Sequence, residues 1–155
     1  MKRSIVGVAC ALLVASIAIP AQADTDACTL ITAGQVSAAA GFAVGQGTHV
    51  TPSFVKTCTW NATGGSGVQT VTLNLQAGSF FDGAKRSAVM MQSAGGVMKS
   101  AGVGEDSFYM VEGTQVMLWV KKGATTFKVE VYKQIPVDQK EAIELALAKQ
   151  VIGKL

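Results

Sequence analysis

The chain has 155 residues, with 13 Lys and Arg against 10 Asp and Glu, a formal net charge of +3 and 49% hydrophobic residues. Its length suits one domain, and its basic excess is too small for the clustered basic face that nucleic-acid binding requires. Two of the basic residues lie in residues 1–23, so that residues 24–155 carry 11 basic and 10 acidic side chains and a net charge of +1.

Residues 1–23 have the layout of a secretory signal peptide, with a basic start, an apolar run over 5–19 and the small-residue site Ala-Gln-Ala at 21–23. We expect cleavage there and a single exported domain over residues 24–155, periplasmic or secreted. The apolar run is shorter than the roughly 20 residues of a membrane span, so we predict no span after cleavage. Retention as an uncleaved anchor is the alternative. Cys10 lies too early in this run to be a lipid-attachment cysteine.

Two cysteines, Cys28 and Cys58, remain after the predicted cleavage. An exported protein with two cysteines most simply pairs them, and we predict this disulfide. A loop of this length stabilises the fold by roughly 3–4 kcal/mol in the chain-entropy model. The alternatives are a redox pair and a metal site, but the spacing is not C-x-x-C and the chain has few other metal-ligating residues.

The first predicted elements are a helix and a hairpin. Thr32 and Gln35 match a capping box, which predicts a helix that begins at Ala33 and ends at Gly41. Residues 54–62 and 68–76 have strand character and are joined by a glycine-rich turn, which predicts an antiparallel hairpin.

A second helix is predicted from a capping box at Ser79 and Asp82 to the glycine pair at 95–96. Its inward-facing residues by helical spacing are Phe80, Ala84, Ala88 and Met91. Three apolar-patterned runs follow, over 107–111, 114–121 and 125–132, and predict an antiparallel meander.

The middle run of this meander is apolar on both sides. Val116, Leu118 and Val120 share one face, while Met117 and Trp119 share the other. A strand of this kind is expected to be covered on both faces.

A third helix is predicted from a capping box at Asp138 and Glu141 to Gly153. The resulting order of elements predicts an α+β fold with an antiparallel sheet of about five strands covered by helices on both faces. The predicted buried stripe of the last helix consists of Ala142, Ile143, Ala146, Leu147 and Val151.

Residues suited to catalysis are sparse. His49 is the single histidine, and the neighbouring Glu105 and Asp106 lie in a glycine-rich stretch that is typical of a turn. The glycine-rich stretches lack the Lys-Ser/Thr ending of a phosphate-binding loop. We therefore expect no enzyme, no catalytic residue and no cofactor.

Two binding hypotheses remain. If helices do not cover the Met117 and Trp119 face completely, it forms an apolar groove for a ligand or partner, and Trp60 is a third candidate for this surface. The alternative is copper handling, because thioethers bind Cu(I) and the chain has several methionines. The candidate ligands are Met90, Met91, Met98, Met110 and Met117, with His49 and Trp119 as companions.

Four short motifs carry a family resemblance: "DACTLITAGQVSAAAG" from residue 26, "CTW" from 58, "GVGEDSF" from 102 and the closing "ALAKQVIGKL". The chain resembles a family of small bacterial cell-envelope domains of unknown function, many of them lipoproteins, which are similar to the PsbP-like α/β/α sandwich. The resemblance implies a disulfide pair and binding or assembly work, and it brings no catalytic residues. This chain lacks the lipid-attachment cysteine, so membrane anchoring is not implied.

From these observations we expect an exported, non-catalytic binding or accessory protein. It would present an apolar surface to an envelope protein or a small apolar ligand. Periplasmic copper handling is the alternative function.

Overall fold

The computed structural model describes residues 25–155, so the predicted signal peptide lies outside the described residues. The described chain contains a short 3-10 helix (Ala27–Thr29) and the helices α1 (Ala33–Ala40), α2 (Phe80–Gln92) and α3 (Val137–Ile152). The strands are β1 (Thr48–His49), β2 (Thr57–Asn61), β3 (Thr70–Ala77), β4 (Val97–Ser100), β5 (Asp106–Glu112), β6 (Gln115–Lys122) and β7 (Thr125–Tyr132).

All seven strands form one antiparallel sheet in the order β1-β2-β3-β7-β6-β5-β4. The predicted α+β class, the hairpin (β2 and β3) and the meander (β5 to β7) are confirmed. The predicted count of about five strands is wrong, because β1 and β4 were not foreseen. Both are short edge strands, and the partner strand rather than an alternating pattern of their own defines them.

The hairpin and the meander join through β3 and β7. This pairing runs over eight residue pairs, from Thr70 opposite Tyr132 to Ala77 opposite Thr125. It links segments far apart in the sequence and makes one continuous sheet of the two units.

The three predicted capping boxes have different outcomes. At α1, the Gln35 N–H donates to Thr32 Oγ1 at 3.2 Å and the Thr32 N–H donates to Gln35 Oε1 at 2.9 Å, which confirms the box. At α2, Ser79 is itself helical, with φ −63° and ψ −20°, and makes no side-chain cap. At α3, Pro136 occupies the N-cap position, so that Asp138 lies inside the first turn. The other two boxes are therefore wrong.

The larger hydrophobic cluster, which we call the main core, joins one set of sheet residues to α1 and α3. Leu118 and Val129 from the sheet are fully buried, as are Val36 from α1 and Leu147 from α3. The sheet contributes chiefly Cys58, Trp60, Val71, Leu73, Leu75, Tyr109, Val116, Leu118, Val120, Phe127, Val129 and Val131.

The predicted disulfide between Cys28 and Cys58 is present, with its Cα atoms 5.0 Å apart. It ties the 3-10 helix to β2, where Cys58 is fully buried. Gly47 lies against the bond, since an added Cβ there would lie 2.5 Å from Cys58 Sγ and 2.7 Å from Trp60 Nε1. A side chain at residue 47 would therefore displace the disulfide or the indole.

The buried stripe of α3 differs from the prediction. Ala142 and Ala146 are exposed, whereas Lys140 and Glu144 are buried with Leu147. The polar residues can be buried because each has a backbone partner: Lys140 Nζ donates to the Thr114 carbonyl at 2.6 Å, and the Val131 N–H donates to Glu144 Oε1 at 3.0 Å. These partners come from other elements, so α3 is rotated relative to the stripe that its own apolar residues suggest.

Within residues 25–155, none of the helices combines the length and apolar composition that a membrane-crossing helix needs.

Candidate ligand-binding groove

Strand β6 divides its side chains between two hydrophobic clusters. Leu118 belongs to the main core, whereas Met117 and Trp119 pack against a second, smaller cluster. Successive strand residues point to opposite faces of a sheet, so one apolar run supplies both clusters. We call the second cluster the methionine cluster; it comprises Phe81, Ala84, Ala88, Met91, Met98, Phe108, Met110, Met117 and Trp119.

Three aromatic rings hold one end of the methionine cluster. Phe81 of α2 meets the Phe108 ring edge-on at 5.4 Å, and Phe108 stacks on Trp119 at 6.5 Å between centroids. Lys128 Nζ lies 5.5 Å from the centroid of the Trp119 ring and 2.6 Å from Glu130 Oε2. The ammonium group therefore has a carboxylate partner as well as the indole face.

A row of methionines crosses three neighbouring strands beside these rings. Met98 of β4 is opposite Met110 of β5, and Met110 is opposite Met117 of β6. The end of α2 approaches this row closely: the Gly96 N–H donates to the Met91 carbonyl at 3.0 Å, and an added Cβ at Gly96 would lie 2.5 Å from Met110 Cε. Glycine at residue 96 thus lets the chain pass directly over Met110.

A groove of about 550 Å³ opens between α2 and the sheet. Met110, Met117 and Trp119 form its floor, and small residues of α2, among them Gly83 and Ala84, leave its space unfilled. The volume lies within the range of about 300–1,000 Å³ typical of small-molecule sites.

A few polar side chains also line the groove. Gln76, Ser79 and Ser87 contribute amide and hydroxyl groups to the lining. Phe80 also lines the groove and is 58% exposed, whereas Phe81 beside it is buried. The prediction that Ala84, Ala88 and Met91 face inward is thus confirmed. At the start of α2 the buried residue is Phe81 rather than the predicted Phe80.

The structure brings together two of the three residues predicted for the apolar surface. Met117 and Trp119 line the groove and are partly exposed. Trp60 is 1% exposed and lies in the main core near the disulfide, so it contributes no surface to the groove. Trp60 faces the core because it shares a strand face with Cys58, two residues away on β2.

The candidate copper ligands Met90, Met91 and His49 lie on different parts of the molecule. Met90 is 74% exposed on α2, and Met91 lines the groove. His49 is on the edge strand β1, where its Nε2 lies 2.8 Å from Asp26 Oδ1. Helical geometry separates Met90 from Met91 by about 100°, because an α-helix has 3.6 residues per turn.

Asp26, Cys28 and His49 place potential metal-ligating atoms within 4.8 Å of one another. Cys28 is bonded to Cys58, so its sulfur is not a thiolate. Asp26 instead accepts the Cys28 N–H at 2.8 Å and caps the 3-10 helix. The hydrogen bond from His49 holds the pKa of Asp26 below its ordinary value. The arrangement supports the disulfide and its flanking turn.

Glu144 is a buried carboxyl that the sequence pattern missed. It is fully buried, and its Oε2 has no hydrogen-bond partner among the described residues. Burial raises the pKa of Glu144 to about 8, although the N–H of Val131 opposes the shift. Most of this carboxyl is therefore protonated at pH 7. Glu144 belongs to α3 rather than to the groove, so we assign it a structural role.

A second cavity, of about 1080 Å³, lies near the start of α3. Its lining is more polar than that of the α2 groove and includes Gln69, Glu112, Gln115, Lys133 and Gln134. An apolar ligand fits this lining poorly, since its polar groups would lose their contact with water. The α2 groove is therefore the stronger candidate.

Comparison of the chain with protein-family models, with curated proteins and with solved structures returned no match. The resemblance to PsbP-like envelope domains stays a prediction.

Proposed function

We propose that this protein is an exported, non-catalytic binding protein that holds a small apolar ligand in the α2 groove. The observation that carries the proposal is the groove itself, with a floor of Met110, Met117 and Trp119 and a volume suited to a small molecule. Methionine side chains adapt their shape to a ligand, and an indole supplies a large flat contact. Gln76, Ser79 and Ser87 would offer hydrogen-bonding groups to polar atoms of the ligand.

Export is supported by the disulfide between Cys28 and Cys58, because such bonds persist in oxidising compartments. The predicted signal peptide gives independent support. Together they favour a periplasmic or secreted location.

The proposed architecture is a sheet with helices on both faces, as in a PsbP-like sandwich. Residues of α1 and α3 share the main core with Leu118, whereas residues of α2 share the methionine cluster with its neighbours Met117 and Trp119. Alternation along β6 supports placing these helices on opposite faces. The cover from α2 is incomplete, which leaves room for the groove.

The proposal can be tested with N-phenyl-1-naphthylamine, a neutral fluorescent apolar probe, on the exported chain with its disulfide intact. We expect saturable binding and energy transfer from Trp119. The variant Ala84→Phe fills the groove and should weaken binding at least about 10-fold. Ala142→Phe, the same substitution at an exposed position of α3, should leave binding unchanged.

Near-UV circular dichroism would verify that both variants are folded. Absence of saturable binding would refute the proposal, as would equal effects of the two variants.

A protein partner is the second candidate, favoured by apolar side chains that α2 exposes to solvent. Phe80, Val89 and Met90 are 58%, 53% and 74% exposed. A photoreactive residue at position 90 should crosslink to an envelope protein in cells, whereas one at position 142 should not. Equal crosslinking at both positions would count against a specific partner.

A further inference from the structure

We propose that the methionine row and Met91 form a thioether site for a soft monovalent metal ion, Cu(I). This function goes beyond the binding of an apolar ligand and does not depend on it. Of the candidates named from the sequence, the site keeps Met91, Met98, Met110 and Met117 and leaves out Met90 and His49. The observation behind it is the register that lines up Met98, Met110 and Met117 across β4, β5 and β6.

Register brings the sulfur atoms within reach of a common centre. Side chains directly opposite each other in antiparallel strands have Cβ atoms about 4.5–5.5 Å apart. Met110 has a methionine opposite it on each side, in Met98 and Met117. All three pack in the same cluster, so their flexible thioether ends share one region above the sheet.

A fourth thioether comes from α2. Met91 packs against the same cluster and lines the same groove as Met110 and Met117. Its carbonyl accepts the N–H groups of Ala94 and Gly96, each at 3.0 Å, which fixes the end of α2 next to β4. The helix therefore supplies Met91 from above and the sheet supplies the row from below.

The burial of these residues suits an ion site with an entry path. Met110 is 2% exposed, whereas Met91, Met98 and Met117 are partly buried, and Met91 and Met117 line the groove. An ion entering the groove would reach Met91 and Met117 before the buried Met110.

The donor set selects a soft ion. Thioethers are neutral, polarisable ligands that favour Cu(I), whereas Zn²⁺, Mg²⁺ and Ca²⁺ favour thiolate, imidazole or oxygen donors. Within residues 25–155, the groove lining includes no carboxylate and no imidazole. The Trp119 ring is flanked by Phe108 and by the Lys128 ammonium, which is paired with Glu130, so we count only the thioethers as ligands.

Met→Leu substitutions distinguish the proposed metal site from ordinary packing of methionines in a core. Methionine is a common filler of irregular hydrophobic clusters, and leucine replaces it with little change in volume. A Met→Leu change therefore keeps the apolar groove and removes one sulfur ligand.

The test is a Cu(I) titration of the exported chain with its disulfide intact. Ascorbate keeps the copper reduced, and bicinchoninate competes for it and reports its free concentration. We expect one ion per chain with a Kd below about 1 μM. A weaker Kd, or tight binding of Zn²⁺ under the same conditions, would overturn the proposal.

The variants locate the site. Met110→Leu and Met117→Leu should each weaken Cu(I) binding at least about 10-fold. Met90→Leu, on the exposed side of α2, is the matched control and should bind like the wild type. Unchanged affinity in the first two variants, or an equal loss in the control, would overturn the assignment.

Two titrations distinguish this proposal from the apolar-ligand proposal. The wild-type chain is titrated with Cu(I) and, separately, with N-phenyl-1-naphthylamine. Cu(I) binding without probe binding would refute the proposed function and support the metal site. Probe binding without Cu(I) binding would refute the metal site and support the proposed function.

Discussion

In the main core, Leu118 is fully buried among valine, leucine and aromatic side chains, whereas its neighbour Met117 is only partly buried beside a cavity of about 550 Å³. Both residues lie on β6, and both are large and apolar. What differs is the helix with which each shares its cluster. Leu118 shares the main core with Leu147 and Val151 of α3, while Met117 shares the methionine cluster with Ala84 and Ala88 of α2.

Under the proposed function, one strand serves both stability and binding. Stiff, branched side chains pack densely in the main core, whereas the methionine cluster uses flexible side chains around unfilled space. We therefore expect substitutions in the main core to change stability and substitutions in the methionine cluster to change binding.

Removing the disulfide measures how much this crosslink contributes to the stability of the main core. Replacing both Cys28 and Cys58 with alanine removes a crosslink with a sequence separation of 30. We expect the free energy of unfolding to fall by about 3–4 kcal/mol, because the unfolded chain regains entropy. Urea unfolding followed by circular dichroism would measure this loss.

Reduction of the wild type should give the same loss, while the double variant should be insensitive to reductant. A loss below about 1 kcal/mol would show that the bond is not a main source of stability.

A pair of truncations compares the two clusters directly. Leu118→Ala should cost about 2–5 kcal/mol, because it leaves a cavity in a fully packed region. Met117→Ala should cost about 1–2 kcal/mol, since less of its surface is removed from water. Equal losses in urea unfolding would contradict the distinction between the clusters.

Glu144 makes the stability of the main core depend on pH. Its pKa is about 8 in the folded protein against 4.5 as the ordinary value, so the folded state holds a proton that the unfolded state releases. Stability from this group is present below pH 4.5 and is lost as the pH rises through 8. Glu144→Gln should remove this dependence and raise the free energy of unfolding by about 1–3 kcal/mol at pH 9.

Urea unfolding at pH 5, 7 and 9 would measure the effect. Met117→Leu, which changes the methionine cluster, should keep the pH dependence of the wild type. If the free energy of unfolding of Glu144→Gln changed with pH as that of the wild type does, a group other than Glu144 would cause the pH dependence.

The smallest expected effect is at the ion pair of His49 with Asp26, whose side chains are 23% and 32% exposed. His49→Ala should lower the free energy of unfolding by about 0.5 kcal/mol at pH 6, since solvent screens such pairs. The lowered pKa of Asp26 means that this contribution is lost as the pH falls through 3.8 and below. A difference that stays constant from pH 6 to pH 3 in urea unfolding would contradict this origin.

Local signals in the sequence were sufficient for much of the fold. The Thr32 and Gln35 box, the meander and the pairing of two cysteines each depend on short-range chemistry or on a single covalent choice. The box at Ser79 failed because the chain enters α2 through a turn, with the Phe81 N–H bonded to the Gly78 carbonyl. The helix still begins directly after Ser79, but the capping hydrogen bonds do not form because Ser79 is itself helical.

The candidate site was predictable only in part. The two-sided pattern of β6 pointed to Met117 and Trp119, but nothing local indicated that Met98 and Met110 would line up with Met117. That alignment depends on β4, an edge strand of four residues whose position is set by pairing with β5. The rotation of α3 that buries Lys140 and Glu144 likewise depends on backbone groups of other elements.

The sequence by itself determined the α+β class, the hairpin, the meander and the disulfide, because hydrophobic period, turn residues and cysteine number are local properties. Tertiary structure alone decided which cluster each face of β6 joined, how completely α2 covered the methionines and which methionines became neighbours. Those outcomes depend on register and helix placement, which arise from contacts between residues far apart in the chain.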